Sequence, residues 1–166
     1  MGIEIERKFL VQGEAWRGLG SAKPYRQGYI STQNRTTSVR VRLAGEQGYI
    51  TIKGKREGIS RAEFEYPIPP EDADNILETL CDRPLIEKVR HRIAYGGLIW
   101  EVDEFLGENA GLIVAEVELT AIDQSIELPE WIGLEVTEDL RYYNANLVRN
   151  PYSSWGAIAK LSSSSR

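Results

Sequence analysis

The sequence predicts an α+β protein: a closed antiparallel β-barrel of about eight strands with a charged interior and a few packed helices. Three observations predict it. Apolar and charged residues alternate with a period of two through much of the chain, as in strands with one apolar and one polar face. The connectors between those segments are short, polar and often contain Gly, which favours antiparallel neighbours. The charges on the polar faces are also sorted by sign from strand to strand.

The first strand is read over residues 2–11, where Ile3, Ile5 and Phe9 alternate with Glu4, Glu6 and Lys8, and Arg7 is the one break on the apolar side. A second follows over 25–31. After a polar connector at 32–36, the third, over 37–43, interleaves Val39, Val41 and Leu43 with Arg40 and Arg42. Connectors at 44–48 and 57–60 bound strands over 49–55 and 61–66. Pro69 and Pro70 then open a helix over 71–81, with Ala73, Ile76, Leu77 and Leu80 at helical spacing. Strands return over 87–93, 98–105 and 114–119, the first two joined through Gly96 and Gly97. A second helix is predicted over 137–149, with Thr137 as cap, Glu138 and Asp139 in its first turn, and Pro151 as a stop. Residues 155–161 read as a last short helix. No linker interrupts this order, so residues 1–161 form a single domain, and the Ser-rich 162–166 a flexible tail.

A chain of 166 residues is long enough to bury a substantial core. Its 42% apolar and 27% charged content excludes disorder as the default. The formal net charge of −5 argues against a surface built to attract nucleic acid. Cys81 is the only cysteine and His91 the only histidine. An intrachain disulfide, a zinc cage of thiolates and a relay of two imidazoles are therefore excluded, and any metal must take oxygen ligands. No apolar run approaches the roughly 20 residues of a membrane span, and the first residues lack a signal-peptide core. The expectation is a soluble, cytoplasmic protein with neither membrane nor nucleic acid as partner.

On any one strand, a charged alternate face is most simply its wet side. The whole set resists that reading, because side chains at i and i+2 lie only about 6.6–6.8 Å apart on one face. Glu4 and Glu6 share such a face, as do Glu63 and Glu65, Glu101 and Asp103, and Glu116 and Glu118. Arg40 pairs with Arg42, Lys88 with Arg90 and Arg92, and Lys8 and Lys53 add further positive charge. Such sorting costs energy unless metal cations compensate the carboxylates and an anion compensates the basic groups. A closed barrel turns every charged face into one lumen and removes exposed edges. That lumen cannot be packed dry, which disfavours a carrier of apolar ligands.

The order of these motifs carries a resemblance. Glu4-Ile5-Glu6-Arg7-Lys8 is followed by Gln27-Gly28-Tyr29, Arg40-x-Arg42, Thr51-Ile52-Lys53 and Arg61-x-Glu63-x-Glu65. Then come Glu87-Lys88-x-Arg90, Glu101-x-Asp103, Glu116-x-Glu118, Glu135-Val136-Thr137, Arg141-Tyr142 and Asn144. From residue 3 to about residue 147 the chain resembles the CYTH proteins, also called triphosphate tunnel metalloenzymes, and most of all the short bacterial members that hydrolyse inorganic triphosphate. The resemblance implies an eight-stranded antiparallel tunnel, a small-molecule triphosphate substrate, and dependence on Mg2+ or Mn2+. It implies a metal-dependent inorganic triphosphatase cleaving tripolyphosphate to pyrophosphate and phosphate. Class IV adenylyl cyclases and thiamine triphosphatases share these charges, so a nucleotide or organic triphosphate stays open as substrate. A noncatalytic polyphosphate sensor is the reading from another class, and a homodimer stays open too.

Under that resemblance, Arg40 and Arg42 fork onto phosphate oxygens, and Lys8, Lys53, Lys88 and Arg90 add cationic contacts. Tyr29 is a candidate for setting substrate preference, weighed evenly against plain packing. Glu4, Glu6, Glu116 and Glu118 lead the metal-site residues, with Glu63, Glu65 and Asp103 beside them. In catalysis, Glu4 or Glu6 accepts a proton from the attacking water, and Lys8 or Lys53 stabilises the leaving pyrophosphate. Trp16, Trp100, Trp131 and Trp155 are assigned to the core or to helix docking, His91 to structure, and Arg141 to bracing a carboxylate ahead of reaching the ligand.

Overall fold

The structure, a computed structural model, describes residues 2–156. Its strands are β1 (Gly2–Val11), β2 (Ser21–Ile30), β3 (Ser38–Ala44), β4 (Gln47–Lys53) and β5 (Ser60–Ile68), then β6 (Ile86–Tyr95), β7 (Leu98–Phe105), β8 (Ile113–Glu118) and β9 (Ile132–Glu135). They pair in the order β5-β4-β3-β2-β6-β7-β8-β1-β9, and a further β5–β1 pairing closes the first eight into a barrel. All pairings are antiparallel. The eight-stranded closed barrel is as the sequence predicts. β1 pairs with β8 over Glu6–Leu10 partners, with β5 over its first residues, and with β9 near its end.

The period-two alternation decides what faces the lumen. Along β1 the inward positions run Glu4, Glu6, Lys8 and Leu10; along β8 they run Glu118, Glu116 and Val114. Asp103 leads to Phe105 on β7, and Lys88 leads to Ile86 on β6. The inward face thus turns from charged to apolar toward one end. There Leu10, Ile86, Phe105 and Val114 form a buried cluster with Tyr142, Leu147, Val148 and Trp155, filling that end of the barrel.

A second cluster packs on the outer face of β1, β7 and β8, around Phe9, Trp16, Trp100, Val102, Val117, Trp131 and Ile132. All four tryptophans are therefore core residues. His91 meets the Trp16 ring edge-on with centroids 4.9 Å apart, a structural contact. A third cluster sits under helix α1 (Pro70–Thr79), whose Ala73 and Leu77 are buried against Val41. Gly28 on β2 is required by close approach: a Cβ there would lie 2.7 Å from Cys81 Cβ and 2.9 Å from Leu85 Cδ2.

Two elements differ from the sequence expectation. The segment read as one helix over 137–149 is a 3-10 turn, Leu140–Tyr142, followed by α2 (Asn144–Arg149), with extended Tyr143 between them. The cause is side-chain competition for the backbone. Thr137 Oγ1 accepts from the Lys8 N–H at 2.9 Å, which ties it to β1, and Asp139 accepts from the Arg141 N–H at 3.1 Å as the cap of the 3-10 turn, so no helix starts at residue 138. The other difference is β9, a ninth strand beyond the eight expected. Tyr152–Ser154 form another 3-10 turn, and Trp155 follows it outside any helix. Residues 157–161 and the tail 162–166 lie outside the described residues. Among those described, no helix is long and apolar enough to cross a membrane.

Candidate active site

The inward faces enclose a cavity of about 590 Å³, lined by eleven Lys and Arg side chains and seven Glu side chains. In a chain of net charge −5, the lumen therefore carries a local excess of four positive charges. The strand order separates the signs. Carboxylates dominate β7, β8 and β1, and guanidinium and ammonium groups dominate β3 and β6. β3 and β8 are four places apart in a ring of eight, so Arg40 and Arg42 stand across the lumen from Glu116 and Glu118.

On the acidic wall, register sets Glu6 opposite Glu118 and Glu101 opposite Glu116, with Cβ atoms about 4.5–5.5 Å apart in such pairs. Three of these carboxylates and their neighbours have cations. Lys8 Nζ lies 2.6 Å from Glu116, Arg90 lies 3.4 Å from Glu101, and Lys53 Nζ donates to both oxygens of Glu4 at 2.9 Å. Glu6 and Glu118 have no ion pair among the described residues. Burial, and next the charge of Glu116, push the Glu6 carboxyl up to about 8 against the opposing pull of Lys8. Burial and the charge of Glu4 raise Glu118 as well. Burial would also raise Glu116, but Lys8, Arg90 and Lys88 together hold it well below the ordinary carboxylate range. Lys53 likewise overcomes burial at Glu4 and holds it low.

This donor set fits a hard divalent cation. Glu6 and Glu118 are oxygen donors that no cation among the described residues pairs with. Among the described residues no three carboxylates converge as a ready-made cage. The set therefore matches a cation that completes its shell with water and phosphate oxygens rather than with protein alone.

The basic wall is built differently. Arg40 donates to Thr51 Oγ1 at 3.1 Å and lies 3.5 Å from Glu65, while its buried Nε makes no hydrogen bond. Arg42 donates through Nε to Gln27 Oε1 at 2.9 Å and has no carboxylate partner among the described residues. Burial, then the charges of Arg40 and Arg90, pull its guanidinium down to about 10. Lys88 and Arg90 each bond Asp103 at 2.7 Å, and Lys88 also donates to Asn144 Oδ1 at 2.9 Å. Burial would raise Asp103, but Arg90 and Lys88 hold it at about 2.

Of the candidate catalytic, substrate and metal residues named from the sequence, all reach the cavity surface except Asp103 and Tyr29. Asp103 is 1% exposed and is given to Lys88 and Arg90, so it anchors the basic wall beneath the cavity floor instead of standing open to a metal. Tyr29 packs against the cluster that fills the barrel end, and its hydroxyl accepts from Gln27 Nε2 at 3.2 Å. Arg141 pairs with Asp139 at 2.7 Å, the bracing role expected of it. The cavity also takes in side chains to which the sequence reading gave no role, notably Tyr25, Arg56, Arg61, Tyr143 and Arg149. Arg61 was visible as a third member of the Glu63 and Glu65 face. The loop and turn residues carry no periodic signal.

A family model described as the CYTH domain matches residues 2–152. The chain belongs to the CYTH family. Among CYTH relatives, an inorganic triphosphatase of Acetivibrio thermocellus is 52% identical over 155 residues, spanning 93% of this chain and 99% of the relative. An inorganic triphosphatase of Nitrosomonas europaea is 36% identical over 151 residues, spanning 87% and 95%. A crystal structure of an inorganic triphosphatase matches with a TM-score of 0.64 at 34% identity, covering 89% of this chain and 95% of that one. The resemblance carried by the charged motifs is thereby borne out.

Proposed function

We propose that this CYTH chain is a metal-dependent inorganic triphosphatase that hydrolyses tripolyphosphate to pyrophosphate and phosphate within the lumen. One observation carries the reading: a cavity with four excess positive charges and an acidic wall opposite them. A triphosphate brings about four to five negative charges near neutral pH, a close complement to that excess once a cation neutralises part of the load. Two relatives named inorganic triphosphatase, at 52% and 36% identity, support it. The substrate is a small molecule, and the lone free Cys81 suits the reducing cytoplasm.

Arg40 and Arg42 bind and orient phosphate oxygens, a task their planar forks suit. Asp103 holds Lys88 and Arg90 in place from beneath, so their charges are preorganised rather than recruited by the substrate. Glu6 and Glu118, with Glu116 beside them, would hold Mg2+ or Mn2+. When bound, that ion neutralises phosphate charge and makes water more acidic. Glu4, kept charged by Lys53, is a proton acceptor for the attacking water at neutral pH. Lys8 and Lys53 lie beside the acidic wall, where they offset charge on the departing pyrophosphate. The test is to incubate the protein with tripolyphosphate, ATP and thiamine triphosphate, each with magnesium, manganese or a chelator, and to separate the products. Tripolyphosphate should turn over fastest and only with metal. Preference for an organic triphosphate, or full turnover with chelator, would contradict the proposal.

A further inference from the structure

Tyr25 lies on the lumen side of β2, between the two strands that supply the basic wall. Register places it directly opposite Lys88 on β6 and Ala44 on β3. Three cations gather on its ring: the Arg42 guanidinium carbon at 4.9 Å from the centroid, that of Arg90 at 5.0 Å, and Lys88 Nζ at 6.0 Å. These distances are within the reach of cation–π attraction. Lys88 and Arg90 share the carboxylate of Asp103, and Arg42 has none.

Three like charges packed this closely repel one another, and something must hold them together before substrate arrives. A carboxylate at position 25 would do so, but it would also cancel charge that the phosphates must meet. A saturated side chain would leave the repulsion unrelieved. An aromatic face offers partial negative charge with no net charge. The Tyr25 hydroxyl makes no hydrogen bond among the described residues, so the ring itself is the working part.

We propose that Tyr25 is a positioning residue whose ring face holds Arg42, Lys88 and Arg90 in the arrangement that takes up the phosphates, without neutralising them. This rests on the triphosphatase reading of the lumen. It assigns Tyr25 no contact with the reacting atoms, and its effect passes through the three cations.

The test compares the wild type with Tyr25→Phe and Tyr25→Leu. Tripolyphosphate binding is measured by calorimetry in chelator, turnover is measured with magnesium, and thermal midpoints are recorded across a salt series. Tyr25→Phe should stay within about twofold of the wild type in Kd, KM and kcat, because the ring face is retained. Tyr25→Leu should weaken binding about tenfold or more, with KM rising further than kcat falls. Its thermal midpoint should drop at low ionic strength and recover with salt or tripolyphosphate, since screening relieves repulsion but does not replace lost packing. Tyr25→Leu binding as well as the wild type would overturn the proposal, and so would a midpoint loss indifferent to salt. Tyr25→Phe failing like Tyr25→Leu would assign the role to the hydroxyl and overturn it too. A wild type that neither binds tripolyphosphate in chelator nor turns it over with magnesium would instead overturn the functional reading, and the salt series would still decide the role of the ring.

Discussion

Glu6 faces Glu118 across the β1–β8 ladder, and neither has a cationic partner among the described residues. With its carboxyl pushed up to about 8 by burial and by Glu116, Glu6 holds its proton at pH 7 in the metal-free protein. A metal ion needs the carboxylate, so binding must expel that proton. Magnesium or manganese binding at pH 7 should release about one proton, and its affinity should strengthen from pH 6 toward 8 and then level off. Calorimetry in buffers of different ionisation enthalpy measures this directly. Metal binding without proton release would remove Glu6 from the ligand set. The same shift has a stability sign. The folded state keeps this proton to higher pH than the unfolded chain does, so the group's contribution is fully present below about pH 4.5 and is lost as pH rises through about 8. At this scale the charged side chains were legible in the sequence because sign and spacing repeat. Asp103 and Tyr25 were not, because their roles depend on which cations the neighbouring strands bring beside them. Asp103 matches Glu101 in spacing, yet only Asp103 meets both Lys88 and Arg90 at 2.7 Å.

The strands were legible wherever a run was long enough to show alternation. β9 was not: Ile132–Glu135 is four residues long and pairs only with the end of β1. The helix read over 137–149 failed for a chemical reason, since Thr137, the expected cap, binds a backbone N–H of β1 while Asp139 caps only a 3-10 turn. Helix α1 was readable because its apolar spacing and opening prolines agree. It packs on the outer face of β3 and β4, away from the lumen, and Leu77 is fully buried there. Leu77→Ala should therefore cost about 2–5 kcal/mol of stability while leaving kcat at 25 °C close to the wild type. Urea denaturation and steady-state assays check the two halves of this prediction. A folded variant with strongly reduced kcat would show that α1 is coupled to the site.

For the whole molecule, ring closure brings the sorted charges of separate strands into one chamber. The apolar plug of Leu10, Ile86, Phe105 and Val114 with Tyr142 and Leu147 fills one end of the barrel. An acidic protein thereby presents a basic interior, and a cavity with low-dielectric walls concentrates that field on an anion. The closed ring was legible in the sorting of charge, whereas the plug was not, because Leu10 or Val114 at an inward position reads like any strand residue. Under the proposed function the two walls divide the work, the basic one binding the phosphates and the acidic one serving the chemical step. Glu6→Gln tests this division most directly, because it keeps size and removes from the acidic wall alone a carboxyl that can ionise to take a metal ion. Pyrophosphate and phosphate release from tripolyphosphate should be followed with saturating substrate and metal, with binding measured in parallel by calorimetry. Through the lost metal ligand, turnover should fall at least about a hundredfold with triphosphate binding retained; near-normal turnover would remove Glu6 from the chemical step.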